Sequence, residues 1–312
     1  MSGQITGNSP LKVLLATDLS SRCDRATDRA AQLAEASGGS LVALHVVPPT
    51  VEPVPARPLW HAPWRQREEQ QAAARQRIAD DLGDPAEGLQ VEVRVEFGDP
   101  AERISAVAEE ARCDVVVTGI ARDETLGRRL LGTVVDHLLY RSAAPVLTVR
   151  RRVHRPYRRI LMTTDLSKAS RDALCLTRSL FPTTEITLVH AYQIPFSAVL
   201  MDDKIRAEFR ELGERALAEF RNALPASLSA PPLSAVVDCA QTVDLVQREL
   251  ARQPDALVVV GSHGSSGLVD RLLGSTATRL LNAIDGDVML VPDRRRGAVG
   301  NSRASNGEGD QP

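Results

Sequence analysis

Aromatic side chains make up only 3% of this 312-residue chain, and both tryptophans, Trp60 and Trp64, fall in one short segment. The core must therefore be built from aliphatic residues. Cysteine is as sparse. Cys23, Cys113, Cys175 and Cys239 are scattered with no CxxC pair or Cys/His cluster, which excludes a disulfide framework and a zinc finger. They read as small buried hydrophobes in a reducing compartment. No apolar run approaches the ~20 residues that cross a bilayer. Neither sign of charge dominates, with 38 basic against 40 acidic residues, so no general pull toward nucleic acid or an anionic membrane is expected. The first ten residues lack a basic segment followed by an apolar one, so no signal peptide is expected and the cytoplasm is the expected location.

What the chain does have is Gly261-Ser262-His263-Gly264, then nine residues, then Gly274-Ser275. This follows Asp255 to Val260, an apolar run of strand length. A strand that ends in glycines and feeds a helix leaves bare N–H groups where an anion can sit. Gly274-Ser275 opens the next helix and adds further donors.

The pattern occurs nearly twice. Asp114 to Gly119 matches Asp255 to Gly261, and Gly132-Thr133 stands where Gly274-Ser275 does. Lys12 to Ser20 matches Arg159 to Ser167, and Leu41 to Val46 matches Ile186 to Ala191. The offset drifts only from 147 to 142 residues, so one domain of roughly 140 residues has been duplicated. Expected strands in the first copy cover 11–17, 41–47, 90–96, 113–119 and 145–150. Helices cover 22–36 (capped by Ser20 or Ser21), 66–82, 100–111 (opened by Asp99-Pro100) and 132–142. The second copy repeats the order, with strands near 159–164, 185–191, 234–239, 256–261 and 287–291. Its helices fall near 168–180, 198–223, 242–252 and 274–284. Strands alternating with helices of this length mean an α/β fold: two tandem doubly wound domains, each with a five-stranded parallel sheet. Ligands of such sheets sit at the carboxyl ends of the strands, where the winding reverses.

Four segments stand apart. Residues 48–64 hold six prolines and both tryptophans, which excludes regular structure and suggests a lid or interface as readily as plain packing. Arg150-Arg151-Arg152, Arg155 and Arg158-Arg159 form a basic link that reads as solvated. Residues 1–10 are expected to be flexible, and the Gly/Ser/Asn/Arg-rich tail over 294–312 disordered.

The Asp-Leu-Ser start, the strand ending in His-Val or His-Ala, and Gly-x2-Gly-x9-Gly-Ser/Thr together resemble the universal stress protein family, in tandem over about 11–292. Domains are placed at 11–152 and 153–293. The resemblance implies a five-stranded parallel sheet, pairing of domains, and ATP as cofactor in members that keep the glycines. It implies that Asp165 meets the nucleotide near the ribose and that Ala191 meets the adenine through its backbone. Gly261, Gly264, Gly274 and Ser275 would hold the phosphates, with Thr163, His263 and Thr276 beside them. Mg²⁺ would come with the phosphates. The protein then reads as an adenine-nucleotide-dependent stress sensor or regulator.

The first copy departs from the pattern at Arg122, which replaces the second glycine. Its bulk would fill the phosphate space, or its guanidinium would clamp a phosphate; impaired binding is the favoured reading, with one nucleotide per chain. The second copy lacks the Gly98-Asp99-Pro100 turn and carries Asp287 in place of Pro145. Residues 127–133 have only the outline of a P-loop, without its Lys. His263 reads as a polar loop residue, because no orienting third group for a triad can be named. His45 and His190 read as core or hydrogen-bonded side chains. Two alternatives stay open: a slow ATPase or nucleotidyl-transfer enzyme using His263 or Asp165, and a non-nucleotide interaction module. The two copies are expected to pair within the chain, chains to associate further as homodimers, and an unidentified protein to be the partner. No nucleic acid or membrane partner is expected.

Overall fold

A computed structural model describes residues 9–49, 63–83, 88–120, 133–193, 203–225, 228, 232–261 and 274–292. The chain forms two compact units, residues 1–156 and 157–312. The first contains β1 (Lys12–Thr17), α1 (Asp24–Ser37), β2 (Ser40–Val47), α2 (Pro63–Leu82), β3 (Gln90–Phe97), α3 (Pro100–Glu110), β4 (Val115–Gly119), α4 (Thr133–Arg141) and β5 (Val146–Val149). Its strands lie in the order β3-β2-β1-β4-β5, all parallel. The chain moves one way through β1, β2 and β3, then returns to add β4 and β5 on the other side. Right-handed crossovers therefore put α1 and α2 on one face and α3 and α4 on the other. The winding reverses between β1 and β4.

The second unit contains β6 (Arg159–Thr163), α5 (Lys168–Leu180), β7 (Glu185–Tyr192), α6 (Asp203–Asn222), β8 (Leu233–Cys239), α7 (Thr242–Arg252), β9 (Leu257–Gly261), α8 (Ser275–Ala283) and β10 (Val288–Val291). Its order, β10-β9-β6-β7-β8, is the same winding, with the reversal between β6 and β9.

The inner strands are buried on both faces, as a parallel sheet covered by helices requires. Val115, Val116 and Val117 in β4, and Leu257, Val258 and Val259 in β9, are at most 2% exposed. Such runs suit the middle of a sheet covered by helices. The helices are amphipathic at helical spacing: α1 buries Ala26, Ala30, Leu33 and Ala34. Aromatics contribute little to this core, as the composition requires. Of the cysteines, Cys23 and Cys113 are buried, whereas Cys175 and Cys239 are only half-buried.

Local signals set most helix ends. Asp99 Oδ1 accepts from Glu102 N at 3.0 Å with Pro100 in the first turn. Gly38 ends α1 in the left-handed conformation at φ 67°, and its neighbour Gly39 admits the β1 backbone: a Cβ there would stand 1.9 Å from the Leu11 carbonyl oxygen. Two expectations about helix starts need correction. Neither Ser20 nor Ser21 caps α1, which starts after Cys23 without a side-chain cap, because the Ser20 hydroxyl is held by Asp18 instead. The proline-rich stretch gives way to α2 at Pro63, since proline fits the first helical turn. Residues 50–62 of that stretch lie outside the described residues, as does 293–312. The basic link is only partly solvated. Arg25 Nη1 donates to the Arg150 carbonyl, and buried Arg29 donates to the Arg155 carbonyl at 3.1 Å.

Candidate functional site

The strand tips at the winding reversal of the second unit gather the described part of the predicted site. Beyond β6, Asp165 sits in a tight turn before α5. Its Oδ1 accepts from Ser167 N at 3.0 Å and from the Ser170 hydroxyl at 2.7 Å. Thr164 Oγ1 accepts from Leu166 N at 3.0 Å. Leu166 itself is left-handed at φ 62°, a conformation that costs a non-glycine residue ~1–2 kcal/mol. These hydrogen bonds offset that strain and fix the carboxylate at the mouth. Ser167 then caps α5, accepting from Ser170 N at 3.2 Å.

Ala191 lies near the end of β7, half-buried, beside Asp238 of β8. Gly261 ends β9, paired with Val291. Gly274 precedes α8 with no side-chain cap, so the first amides of the helix are uncovered by a cap and Ser275 and Thr276 are exposed in its first turn. Arg279, one turn further on, reaches Gln241 at the start of α7, at 3.4 Å. Helix N–H groups, hydroxyls and a carboxylate thus share one end of the sheet, a donor set that suits phosphate at one side and hydroxyl groups at the other.

Thr163 is buried, and its hydroxyl donates inward to the Val259 carbonyl at 3.4 Å, tying β6 to β9. The threonine that shapes the turn is Thr164, which the sequence reading did not single out. Ser170 was also missed; its signal is the spacing Asp-x4-Ser, which the first copy varies as Asp18-x4-Cys23. His263 and Gly264 lie outside the described residues, as do Arg122 and most of the P-loop-like segment.

At the β8 edge, Asp238 forms an ion pair with Arg248 and accepts from Cys239 N at 2.8 Å. The Arg248 hydrogen bond holds the Asp238 carboxyl below the usual carboxylate range. Burial pushes the Tyr192 phenol up, against a hydrogen bond from Arg210.

The first unit repeats the turn. Leu19 has φ 61°, its N–H reaches Thr17 Oγ1 at 3.0 Å, and Ser20 N reaches Asp18 Oδ1 at 2.9 Å. The Ser20 hydroxyl and the Cys23 thiol also donate to Asp18 Oδ1, at 2.6 and 3.1 Å. Burial works against the Asp18 carboxylate, but these donors together hold its pKa below the ordinary value. Burial pushes the Cys23 thiol up to about 11. Gly119 at the tip of β4 lets this turn approach; a Cβ would stand 2.8 Å from the Arg22 carbonyl oxygen. His45 and His190, read from sequence as core or hydrogen-bonded, are half-buried, and each places Nδ1 2.9 Å from a threonine carbonyl.

A family model described as the universal stress protein family matches residues 11–150 and again 156–292. The chain belongs to the universal stress protein family. Universal stress protein Rv2005c of Mycobacterium tuberculosis is 29% identical over 266 residues, which covers 78% of this chain and 84% of that one. A universal stress protein of Mycolicibacterium smegmatis is 28% identical over 291 residues, covering 90% and 97%. Among solved structures, a universal stress protein from Archaeoglobus fulgidus aligns with a TM-score of 0.57 at 18% identity, covering 91% of this chain and 98% of its own. A functionally unknown protein from Pseudomonas aeruginosa PAO1 aligns with a TM-score of 0.63 at 19% identity, covering 96% and 99%. At these identities the structures show the fold: a universal stress protein domain occurring twice, each copy α/β with a parallel sheet. No described helix is long and apolar enough to cross a membrane. Among the described residues no group of three or more His, Cys, Asp or Glu could hold a metal ion.

Proposed function

We propose that the second unit binds an adenine nucleotide, ATP, and that the protein works in the cytoplasm as a nucleotide-dependent stress-response sensor or regulator. The observation that carries this reading is the meeting of three features at the reversal between β6 and β9. They are the prebuilt Asp165 turn, the main chain of Ala191, and the uncapped start of α8 at Gly274. A carboxylate at a strand tip suits ribose hydroxyls, and exposed amides with Ser275 and Thr276 suit phosphate oxygens. Thr163 supports them from inside the sheet. Gly261, His263 and Gly264 complete the sequence pattern on the phosphate side, and Mg²⁺ would be held by the phosphates and water with little help from protein groups.

Calorimetric titration of the full chain with ATP tests the reading. One site per chain is expected, weakened at least tenfold by Asp165→Ala. Failure to bind ATP, ADP or AMP at millimolar concentration would remove the proposal. Two equal sites per chain would overturn the assignment to the second unit alone.

A further inference from the structure

β3 and β8 are end strands, and their outer edges are covered differently. In the first unit Gly98 N donates to the Val47 carbonyl, so the even-numbered residues of β3 turn their main chain toward β2 and the odd-numbered ones turn theirs outward. Side chains of α2 close that outer edge. Arg75 Nη1 donates to the Val93 carbonyl at 3.0 Å, and Gln71 Nε2 to the Val95 carbonyl at 3.4 Å. Glu92, Arg94 and Glu96 add charge along the strand, which discourages a further strand from joining.

Only the start of β8 is covered in this way. The Pro232 carbonyl accepts from Ile186 N at 3.3 Å, so Ser234, Val236 and Asp238 turn their main chain toward β7, and Leu233, Ala235 and Val237 turn theirs outward. Arg221 Nη2 of α6 takes the Leu233 carbonyl at 3.0 Å. A step of four residues back along α6, about 6 Å, keeps pace with two residues of strand, about 6.6 Å. Those steps reach Leu217 and then Gly213, which stand where α2 has Arg75 and Gln71 and which have no side-chain donor. Gly213 packs close onto the strand instead: a Cβ there would stand 3.0 Å from Val237 Cγ1. Among the described residues nothing donates to the carbonyl of Ala235 or Val237. The one charged side chain of β8, Asp238, is already paired with Arg248.

This open stretch is complementary to itself. With a second copy antiparallel across a two-fold axis at Val236, Ala235 of each copy faces Val237 of the other, and each pair exchanges both main-chain bonds. The register sets Val236 against Val236 and the Ser234 hydroxyl against the Asp238 carboxylate, at positions where side chains come closest. An axis at Ala235 would need the Leu233 carbonyl that Arg221 holds. An axis at Val237 would set Asp238 against apolar Val236. We propose that the outer edge of β8 at Ala235 and Val237 docks the same edge of a second copy of this chain, joining two second units through one sheet. A second copy is the occupant because the edge supplies both halves of every contact that the register needs. The nucleotide reading is not required.

Sedimentation of the full chain over a range of concentrations, with hydrogen exchange of the Ala235 and Val237 amides, tests it. The parent protein should pass from monomer to dimer as concentration rises, and both amides should slow at least tenfold over the same range. Ala235→Pro removes an outward N–H that the ladder to β7 does not use, and Val236→Lys opposes two ammonium groups at the axis. Each should weaken self-association at least tenfold. Val236→Cys, made with Cys175→Ser and Cys239→Ser, should cross-link the dimer on oxidation, because its partner stands about 4.5 Å away between Cα atoms. That cross-link decides the matter where another variant fails to fold. A dimer that both Ala235→Pro and Val236→Lys keep, or a protein that stays monomeric, would overturn the proposal. A monomer with both amides protected would assign the edge to another part of the same chain, and would overturn the second copy as its occupant.

Discussion

Tyr157 donates its phenolic hydrogen to Asp287 Oδ2 at 2.5 Å, and both side chains are buried. The Tyr157 ring meets Phe181 edge-on, with centroids 6.2 Å apart. The Asp287 carbonyl accepts from Val258 N at 3.1 Å, just as the Pro145 carbonyl in the first unit accepts from Val116 N at 2.9 Å. The main-chain role is therefore common to both copies, and the carboxylate adds a side-chain bond that proline cannot make. It lies at the amino ends of β6 and β10, away from the proposed nucleotide.

Tyr157→Phe deprives a buried carboxylate of one donor. Such a loss costs ~1–3 kcal/mol. Urea unfolding should show that destabilisation, while ATP affinity stays unchanged. A variant as stable as the parent would mean that the phenol contributes only its ring.

The Asp18 carboxyl lies below its ordinary range in the folded protein. A depressed folded pKa gives stability that is present above the unfolded value, about 3.9, and is lost as the pH falls through the lower folded one. Unfolding free energy should therefore fall on acidification below about pH 4, and fall less in Asp18→Asn. Equal slopes in the two proteins would contradict the assignment.

Leu166 holds φ 62°, so a residue without a Cβ relieves strain there while a β-branched one adds to it. Leu166→Gly should alter stability by less than about 1 kcal/mol, with relief of strain set against the loss of a half-buried side chain. Leu166→Val should cost about 2 kcal/mol. Denaturant melts rank the two, and the reverse order would show that side-chain packing governs the turn.

Gly38 and Gly39 separate two reasons for glycine. At Gly38 only the positive φ matters, for no atom stands within 4 Å of an added Cβ. Gly38→Ala should cost about 1 kcal/mol. Gly39→Ala drives a methyl into the Leu11 backbone and should cost about 3 kcal/mol or more. Thermal melts of the pair check the ordering.

The Cys23 and Cys113 thiols, both raised to about 11 by burial, are protonated at neutral pH. Native protein treated with iodoacetamide at pH 8 should show both unmodified by mass spectrometry, and unfolded protein should show both alkylated. Prompt labelling of native Cys23 would refute the burial.

The doubly wound parallel fold was legible in the sequence because two signals agreed: the apolar runs of strand length and the duplication that repeated them. The Asp99-Pro100 helix start was legible because it is a local rule. The turn after β6 was only half legible. Asp165 stood out as a carboxylate at a strand tip, but Thr164 and Ser170 act through hydrogen bonds within the turn, whose partners are set only once the chain has folded there. Ser20 misled for a related reason. A serine before a helix has a choice of partners, and here its hydroxyl donates to the neighbouring Asp18 carboxylate while no side chain accepts from the first amides of α1. Asp287 likewise marked itself by replacing a proline, but Tyr157, its partner 130 positions away, carried no mark.

The left-handed leucine of each turn is wound before anything docks beside it. With Thr164, Asp165 and Ser170 already tied together, an arriving molecule meets a finished rim and has no loop to order there, so contact on that side should be quick and leave the main chain where it stood.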